Sequence, residues 1–201
     1  MGELEGQVAL VTGGGRGIGA AIARELARRG AQIVISSRTQ SELDSVLDSV
    51  RAEGGIGHSL VTDAMDREQV RALGLFALER SGRIDILINN VGGAAPASSY
   101  PTGDPDDAFV ADLTLNLISA VWLTRTVQSS MREAGYGRII NIVSTSVIIP
   151  IKGLGVSNTI RGAMGNWGRT LAAELAPFGI TVNNLLPGYT ATTRLGDLVR
   201  D

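Results

Sequence analysis

Five glycine residues follow the first apolar run of the chain, and their spacing suits the binding of a diphosphate. The run Val8–Thr12 (VALVT) is typical of a buried strand, and the residues after it include Gly13, Gly14, Gly15, Gly17 and Gly19. A segment with helical spacing of apolar residues continues to Arg29 and stops at Gly30. Backbone N–H groups at a helix N-terminus can approach a diphosphate closely when the preceding turn lacks side chains. The pattern predicts a nucleotide-binding site.

The spacing of these glycines narrows the kind of nucleotide site. A G-x-G-x-x-G motif is absent, because position 18 is Ile. The motif that fits is T-G-x-x-x-G-x-G, formed by Thr12, Gly13, Gly17 and Gly19. No Gly-Lys-Ser/Thr sequence follows, which excludes a P-loop. We therefore expect a dinucleotide here.

Two arginines favour NADP over NAD. In dinucleotide folds an acidic residue at the end of the second strand holds the adenosine ribose hydroxyls, whereas a nearby arginine accommodates a 2′-phosphate. The second strand ends here in Ser36-Ser37-Arg38, without an acid, and Arg16 lies inside the glycine turn. A guanidinium group suits a phosphate. The alternative is that both arginines are solvated surface residues.

Apolar runs alternate with helical segments along the chain. The predicted strands are Val8–Thr12, Gln32–Ser36, His58–Val61, Ile84–Asn89, Arg138–Val143 and Thr181–Leu186. The predicted helices are Gly17–Arg29, Gln40–Glu53, Arg67–Ser81, Asp106–Glu133 and Ser157–Ala176. Near-continuous apolar strands are expected where helices cover both faces of a parallel sheet. We predict an α/β fold, a single doubly wound (Rossmann) domain over residues 1–201 with a parallel sheet and helices on both faces.

Capping-box spacing marks two of the predicted helix starts. Thr39 is followed by Glu42, and Asp66 is followed by Gln69. In each pair the first side chain is expected to accept a hydrogen bond from the backbone N–H of the second residue.

Composition and charge exclude several classes of function. The 201 residues carry 18 basic and 20 acidic side chains, evenly interspersed, so we expect no partner among nucleic acids or membranes. The absence of cysteine rules out disulfide bonds and thiolate metal sites. Asp104, Asp106 and Asp107 lie at a predicted helix start, where acids suit the helix dipole, and we expect no metal site. No apolar run approaches ~18 residues, and we expect a cytoplasmic protein.

The chain resembles the short-chain dehydrogenase/reductase family over nearly its whole length. The glycine turn is the first of six motifs that occur in the family's order. The others are Asp63 after the third strand, Asn89-Asn90-Val91-Gly92 after the fourth, Asn116 in the long helix, Ser144 after the fifth strand and Pro187-Gly188 after the sixth. Six motifs in order at compatible spacings are specific, although each alone is weak. Within the family the chain is most similar to the 3-oxoacyl-acyl-carrier-protein reductase type.

The resemblance implies a nicotinamide cofactor, NADP (NADPH) by the arginine argument, and a carbonyl, alcohol or acyl thioester substrate. The cofactor-binding positions are Thr12, Gly13, Gly15, Arg16, Gly17, Ile18, Gly19, Ser37, Arg38, Asp63, Ala64, Asn90, Gly92, Arg161, Pro187, Gly188 and Thr190. The catalytic positions are Asn116, Ser144, Ser157 and Arg161.

One family motif is altered. The family has Y-x-x-x-K thirteen residues after the catalytic serine, and this chain has S-x-x-x-R there, with Ser157 and Arg161. Counting back from Thr181-Val182-Asn183 gives the same two positions. In the family the tyrosine protonates the carbonyl oxygen as hydride reaches carbon, and the lysine lowers the tyrosine pKa and holds the nicotinamide ribose. Serine is a poor replacement acid, whereas arginine keeps the positive charge but cannot release a proton near pH 7.

Three other residues could serve as the proton donor, and none is assigned. Tyr189 follows the sixth strand, Lys152 lies between Ser144 and Ser157, and Tyr100 lies in the loop after the fourth strand. Tyr136 precedes a strand and therefore lies at the opposite edge of the sheet.

Two functions from different classes follow. The first is an NADP-dependent carbonyl reductase or alcohol dehydrogenase with an altered proton path, favoured by the retained Ser144 and Asn116. The second is a non-catalytic dinucleotide-binding sensor or inactive partner subunit, favoured by the altered motif. Losing the acid need not abolish hydride transfer, so we favour the enzyme.

Two expectations concern assembly and chain length. The resembled family associates through its two long helices, and the apolar and small residues of these helices here exceed one buried stripe, which predicts a dimer or tetramer. The residues that suggest this are Leu113, Leu117, Val121, Ala163, Trp167 and Leu171. The sequence stops at Asp201, where the family continues through a substrate-covering lid and a last strand, so we expect the chain to be incomplete.

Overall fold

Six parallel strands form one sheet with helices on both of its faces. A computed structural model describes residues 2–93 and 105–192, without the side chains of residues 105–108. The strands are β1 (Val8–Thr12), β2 (Gln32–Ser37), β3 (Gly57–Val61), β4 (Ile86–Asn89), β5 (Gly137–Ile142) and β6 (Ile180–Leu185). The helices are α1 (Gly17–Arg28), α2 (Gln40–Ala52), α3 (Arg67–Ser81), α4 (Pro105–Leu113), α5 (Ser119–Ala134) and α6 (Gly155–Leu175).

The strands lie in the order β3-β2-β1-β4-β5-β6, and all neighbouring pairs are parallel. This order confirms the doubly wound Rossmann domain. Its topological switch point lies between β1 and β4, where ligands bind at the carboxyl ends of the strands in such sheets.

Side chains of each strand alternate between two apolar cores. On one face Leu10, Val34 and Leu87 pack with residues of α3, α5 and α6. On the other face Val11 and Ile35 pack with residues of α1 and α2. This period of two follows from strand geometry, and burial on both faces explains why the strands read as apolar runs. Trp122, Trp167 and Phe178 pack against the first core, as expected of helix contacts.

Most predicted element boundaries lie within two residues of the observed ones. The largest change at a strand is that β4 begins at Ile86 rather than Ile84. The predicted helix Asp106–Glu133 is interrupted, because Thr114–Ile118 forms a π-helical turn between α4 and α5. A π turn has i→i+5 hydrogen bonds and is frequent at functional sites, but apolar spacing does not reveal it.

Only one of the two predicted capping interactions forms. The Asp66 carboxylate accepts hydrogen bonds from the backbone N–H groups of Gln69 and Glu68, and these bonds lower the pKa of the Asp66 carboxyl, with Gln69 contributing most. Thr39 begins α2 without a side-chain cap, so that prediction is wrong. Glu42, the second residue of that predicted capping box, pairs with Arg16 instead.

Candidate active site

The glycine turn is fixed to the end of β4 by two polar side chains. The Thr12 hydroxyl donates to the carbonyl of Ile88 and accepts from the backbone N–H groups of Asn90 and Val91, at 2.9 and 3.2 Å. The Asn90 side-chain amide donates to the carbonyls of Thr12 and Gly13. The turn is therefore rigid before any ligand arrives, and Asn90 contributes by bracing it.

The shape of this turn fits a dinucleotide diphosphate. Gly13 has φ +62°, and a Cβ there would lie 2.9 Å from the Asn90 amide nitrogen. A Cβ on Gly19 would collide with the carbonyl oxygen of Gly13. The turn thus closes on itself with no room for side chains. The first turn of α1 carries no acidic side chain, so the positive end of its dipole is not offset.

The ends of β1 and β2 border the glycine turn on one side. A Cβ on Gly15 would lie 2.7 Å from the Ser37 hydroxyl, and Arg38 is exposed beside them. The Arg16 side chain is 71% exposed and its guanidinium lies 3.8 Å from Glu42. The sequence prediction placed Arg16 and Arg38 here and missed Glu42, which capping-box spacing had assigned to a helix start.

The residues after β3 border the same region. The Asp63 carboxylate accepts from the backbone N–H of Met65, and Ala64 is buried. A cavity under the ends of β1 to β4 is lined by Thr12, Ser36 and Thr62 together with mostly apolar side chains, such as Val70 and Leu73. The buried Oδ1 of Asn89 has no hydrogen-bond partner within the described part of the chain.

Arg161 lies at the carboxyl ends of β4 and β5, next to the segment after β4. One guanidinium nitrogen donates to the carbonyl of Ile142 at 3.0 Å, and the other lies 2.8 Å from the Cβ position of Gly92. The side-chain Oδ1 of Asn116 lies 2.5 Å from the same Cβ position. The Arg161 guanidinium, the π turn and the end of β4 therefore meet at one point.

The side chain of Asn116 is fully engaged in holding this edge together. Its Oδ1 accepts from the backbone N–H of Gly93, and its Nδ2 donates to the carbonyl of Asp112. Asn116 is 3% exposed and lies inside the π turn. Its amide shapes the loop after β4.

Ser144 and Ser157 lie on neighbouring segments. The Ser144 hydroxyl oxygen accepts from the backbone N–H of Ser146, which leaves its hydrogen for another acceptor. The loop after Ser144 is tied to α6, because the Asn158 side chain bonds both the backbone N–H and the carbonyl of Ile151.

The loop after β6 lies next to the segment that follows Ser144, because the backbone N–H of Thr145 donates to the Pro187 carbonyl. Farther along, Thr190 bonds back to Gly188, and Thr192 contacts the glycine turn at Gly17.

No alternative proton donor is fixed in place among the described residues. Tyr189 is 81% exposed, and Lys152 is also exposed. Tyr100 lies outside the described residues. Tyr136 lies before β5, at the opposite edge of the sheet, where it stacks against Arg138.

A ladder of three side-chain amides, two of them buried, crosses the sheet behind the site and was not predicted. The Asn89 side chain donates to Asn141, and Asn141 donates to Asn184, at 2.9 and 3.1 Å. Asn184 donates to the carbonyl of Gly165 in α6. Register places the three asparagines side by side on β4, β5 and β6. Each asparagine is visible in the sequence, but only the register reveals the ladder.

The family model of the short-chain dehydrogenases matches residues 7–201. The chain belongs to this family. The short-chain reductase protein NovJ of Streptomyces niveus is 37% identical over 194 residues, which are 95% of this chain and 72% of that protein.

Solved structures of other family members superpose closely on this short-chain dehydrogenase. NAD+-bound xylitol dehydrogenase has a TM-score of 0.91 and 32% identity, covering 98% of this chain and 76% of its own. Actinorhodin polyketide ketoreductase with NADPH has a TM-score of 0.92 and 29% identity. The match covers 100% of this chain and 77% of the ketoreductase chain. The chain is therefore an oxidoreductase of a family that binds a nicotinamide dinucleotide. Because one neighbour holds NAD+ and the other NADPH, the cofactor of this short-chain dehydrogenase must be argued from its own residues.

The described helices include none with the length and apolar character needed to cross a bilayer. Within the described part of this short-chain dehydrogenase no group of three or more His, Cys, Asp or Glu side chains is arranged to hold a metal ion.

Proposed function

We propose that this short-chain dehydrogenase reduces the carbonyl group of an apolar substrate, such as a 3-oxoacyl thioester, with NADPH. The observation that carries the proposal is the fixed Arg161 guanidinium beside Gly92, at the sheet edge that also holds Ser144. When bound, the nicotinamide cofactor supplies the hydride. The glycine turn, braced by Asn90, would hold its diphosphate, and Arg161 would hold its ribose.

Ser144 is the proposed hydrogen-bond donor to the substrate carbonyl. Its oxygen already accepts from Ser146 N–H, which orients the hydroxyl hydrogen away from that neighbour. A donor fixed at the oxygen stabilises the charge that develops there. Ser157 is a short alcohol and a very weak acid, so we propose that water beside Ser157 delivers the proton.

The proposed preference for NADPH rests on Arg38 and Arg16. Both lie beside Gly15 and Ser37, and the end of β2 carries no carboxylate. Arg–phosphate pairs are strong because the guanidinium fork matches the phosphate oxygens. We expect NADPH to bind more tightly than NADH, and Arg38→Asp to reverse this order, because the new carboxylate repels the 2′-phosphate and accepts from the ribose hydroxyl.

The test combines cofactor titration with turnover. Binding of NADPH and NADH is followed by nicotinamide fluorescence, in the native protein and in Arg38→Asp. Turnover is measured with NADPH on ketones and 3-oxoacyl thioesters, and with NADP+ on polyols, whose oxidation needs a hydride acceptor. Equal affinity for the two cofactors would contradict the NADPH assignment. Turnover of polyols in preference to apolar carbonyl compounds would contradict the substrate class.

Exposed apolar side chains beside the candidate site support an apolar substrate. Ile148 and Ile149, in the loop after Ser144, are 72% and 73% exposed. Tyr189 and Leu185 are exposed at the neighbouring end of β6. A site for polyols needs polar groups for several hydroxyls, whereas these side chains favour burial of hydrocarbon.

A homo-oligomer formed through the predicted long helix, which comprises α4 and α5, and through α6 is also proposed. Val110 and Leu113 in α4 and Ala163 in α6 are exposed, which supports an apolar contact surface. Leu171 was counted among the contact residues and is instead buried in the core of the subunit. We expect light scattering at micromolar concentration to give the mass of a dimer or tetramer. The mass of a single chain would contradict the proposal.

The second candidate function is a non-catalytic dinucleotide-binding protein. Ser157 favours it, because serine stands at the position where the family has its usual acid. Tight NADPH binding without turnover of any carbonyl compound would favour this function.

A further inference from the structure

An acidic side chain lies where the proposed 2′-phosphate site would be, although the end of β2 has none. Glu42 is in the first turn of α2, and its carboxylate lies 3.8 Å from the Arg16 guanidinium. A Cβ on Gly15 would lie 3.2 Å from a Glu42 carboxylate oxygen and 2.7 Å from the Ser37 hydroxyl. Glu42 therefore belongs to the same small group as Gly15, Arg16 and Ser37.

The Glu42 carboxylate has two effects on a phosphate bound in this group. The carboxylate pairs with Arg16, so the Arg16 guanidinium must either keep this ion pair while it binds the phosphate or break the pair to bind it. It also adds a negative charge beside a dianion. Because like charges a few ångströms apart repel even in a water-like dielectric, and the phosphate carries a charge near −2, we expect about a tenfold effect on affinity. The ribose hydroxyl of NAD carries no such charge.

We infer that Glu42 is a specificity-determining residue that weakens binding of the 2′-phosphate and so limits the preference for NADPH. The inference rests on the proposed cofactor site. Glu42 acts on only one of the two arginines. Its carboxylate pairs with Arg16 and does not pair with Arg38. Removing the charge of Glu42 releases Arg16 for the phosphate.

Calorimetric titration of the whole chain with NADPH and NADH tests this role. In Glu42→Gln we expect the ratio of the two dissociation constants to shift about tenfold toward NADPH. This shift of the ratio toward NADPH should be smaller at about 0.5 M salt than at low salt, because the charges are solvent-exposed. The same shift is expected for adenosine 2′,5′-bisphosphate against adenosine 5′-monophosphate, since the effect is confined to the adenosine end.

Asp44→Asn is the matched control. It removes the same charge from the same helix, but Asp44 contacts Gln40 and not the glycine turn. An unchanged ratio in Glu42→Gln, or an equal gain in Asp44→Asn, would overturn the inference. The inference and the proposed function fail in different ways. A native preference for NADH unaffected by Arg38→Asp refutes the NADPH assignment alone, whereas no binding of either cofactor by any variant refutes both.

Discussion

The combined replacement of Ser157 by Tyr and Arg161 by Lys is expected to raise carbonyl reduction by about 10²–10⁴-fold, the usual contribution of general acid catalysis. The edge that would receive the phenol is intact, because Ser144, Asn116 and Gly92 occupy fixed positions. A phenol has a pKa of about 10, which a neighbouring cation moves toward neutrality. The measurement is turnover of a 3-oxoacyl thioester or a simple ketone with NADPH.

Two further variants locate the source of the gain. Thr159→Tyr with Arg161→Lys is the matched control, since it keeps the same ammonium at position 161 and moves the phenol two residues along the same helix, to an exposed position. We expect no gain from it. Ser144→Ala in the Tyr–Lys background should remove most of the gain, because the serine binds the same carbonyl oxygen. A Tyr–Lys variant that folds, binds NADPH and is no faster than the parent would favour the non-catalytic function.

Arg161 also explains why the two replacements belong together. Its guanidinium reaches both the Ile142 carbonyl and the backbone at Gly92, so it fills space between β5 and the segment after β4. A lysine ammonium is a compact point charge and leaves part of that space to water. With Arg161 retained, a tyrosine at position 157 meets a larger cation, one nitrogen of which already donates to the Ile142 carbonyl.

Features set by local sequence could be predicted well. The apolar runs predict the strands, and their alternation with helices predicts a doubly wound sheet. The Asp66 cap also forms as predicted, because its partners lie two and three residues away. These features depend on contacts within one element or on a repeating pattern.

Features set by contacts between elements were not predictable. Thr39 and Glu42 have the same spacing as Asp66 and Gln69, yet Glu42 pairs with Arg16 across the turn, and only the fold brings those two together. The amide ladder of Asn89, Asn141 and Asn184 needs the strand register. The π turn at Asn116 needs its packing against the segment after β4.

Gly19→Ala is expected to weaken NADPH binding by roughly 10- to 100-fold. A methyl group at Gly19 would collide with the Gly13 carbonyl and lie 2.5 Å from the Asn90 amide nitrogen. The backbone oxygen cannot move without opening the turn, and such overpacking costs about 1–3 kcal/mol. The hydrogen bonds from Asn90 to the carbonyls of Thr12 and Gly13 would lengthen with it. Fluorescence titration measures the loss, and circular dichroism shows that the sheet survives.

Gly162→Ala is the matched control for this prediction. It adds the same methyl group to a helix, but a Cβ at Gly162 meets nothing within 4 Å. Alanine is favoured over glycine inside a helix by about 0.8–1 kcal/mol, so the midpoint temperature of thermal unfolding should rise while NADPH affinity stays unchanged. An equal loss of affinity in both variants would mean that binding responds to general changes in the helices. Unchanged affinity in Gly19→Ala would mean that the diphosphate is not held by the glycine turn.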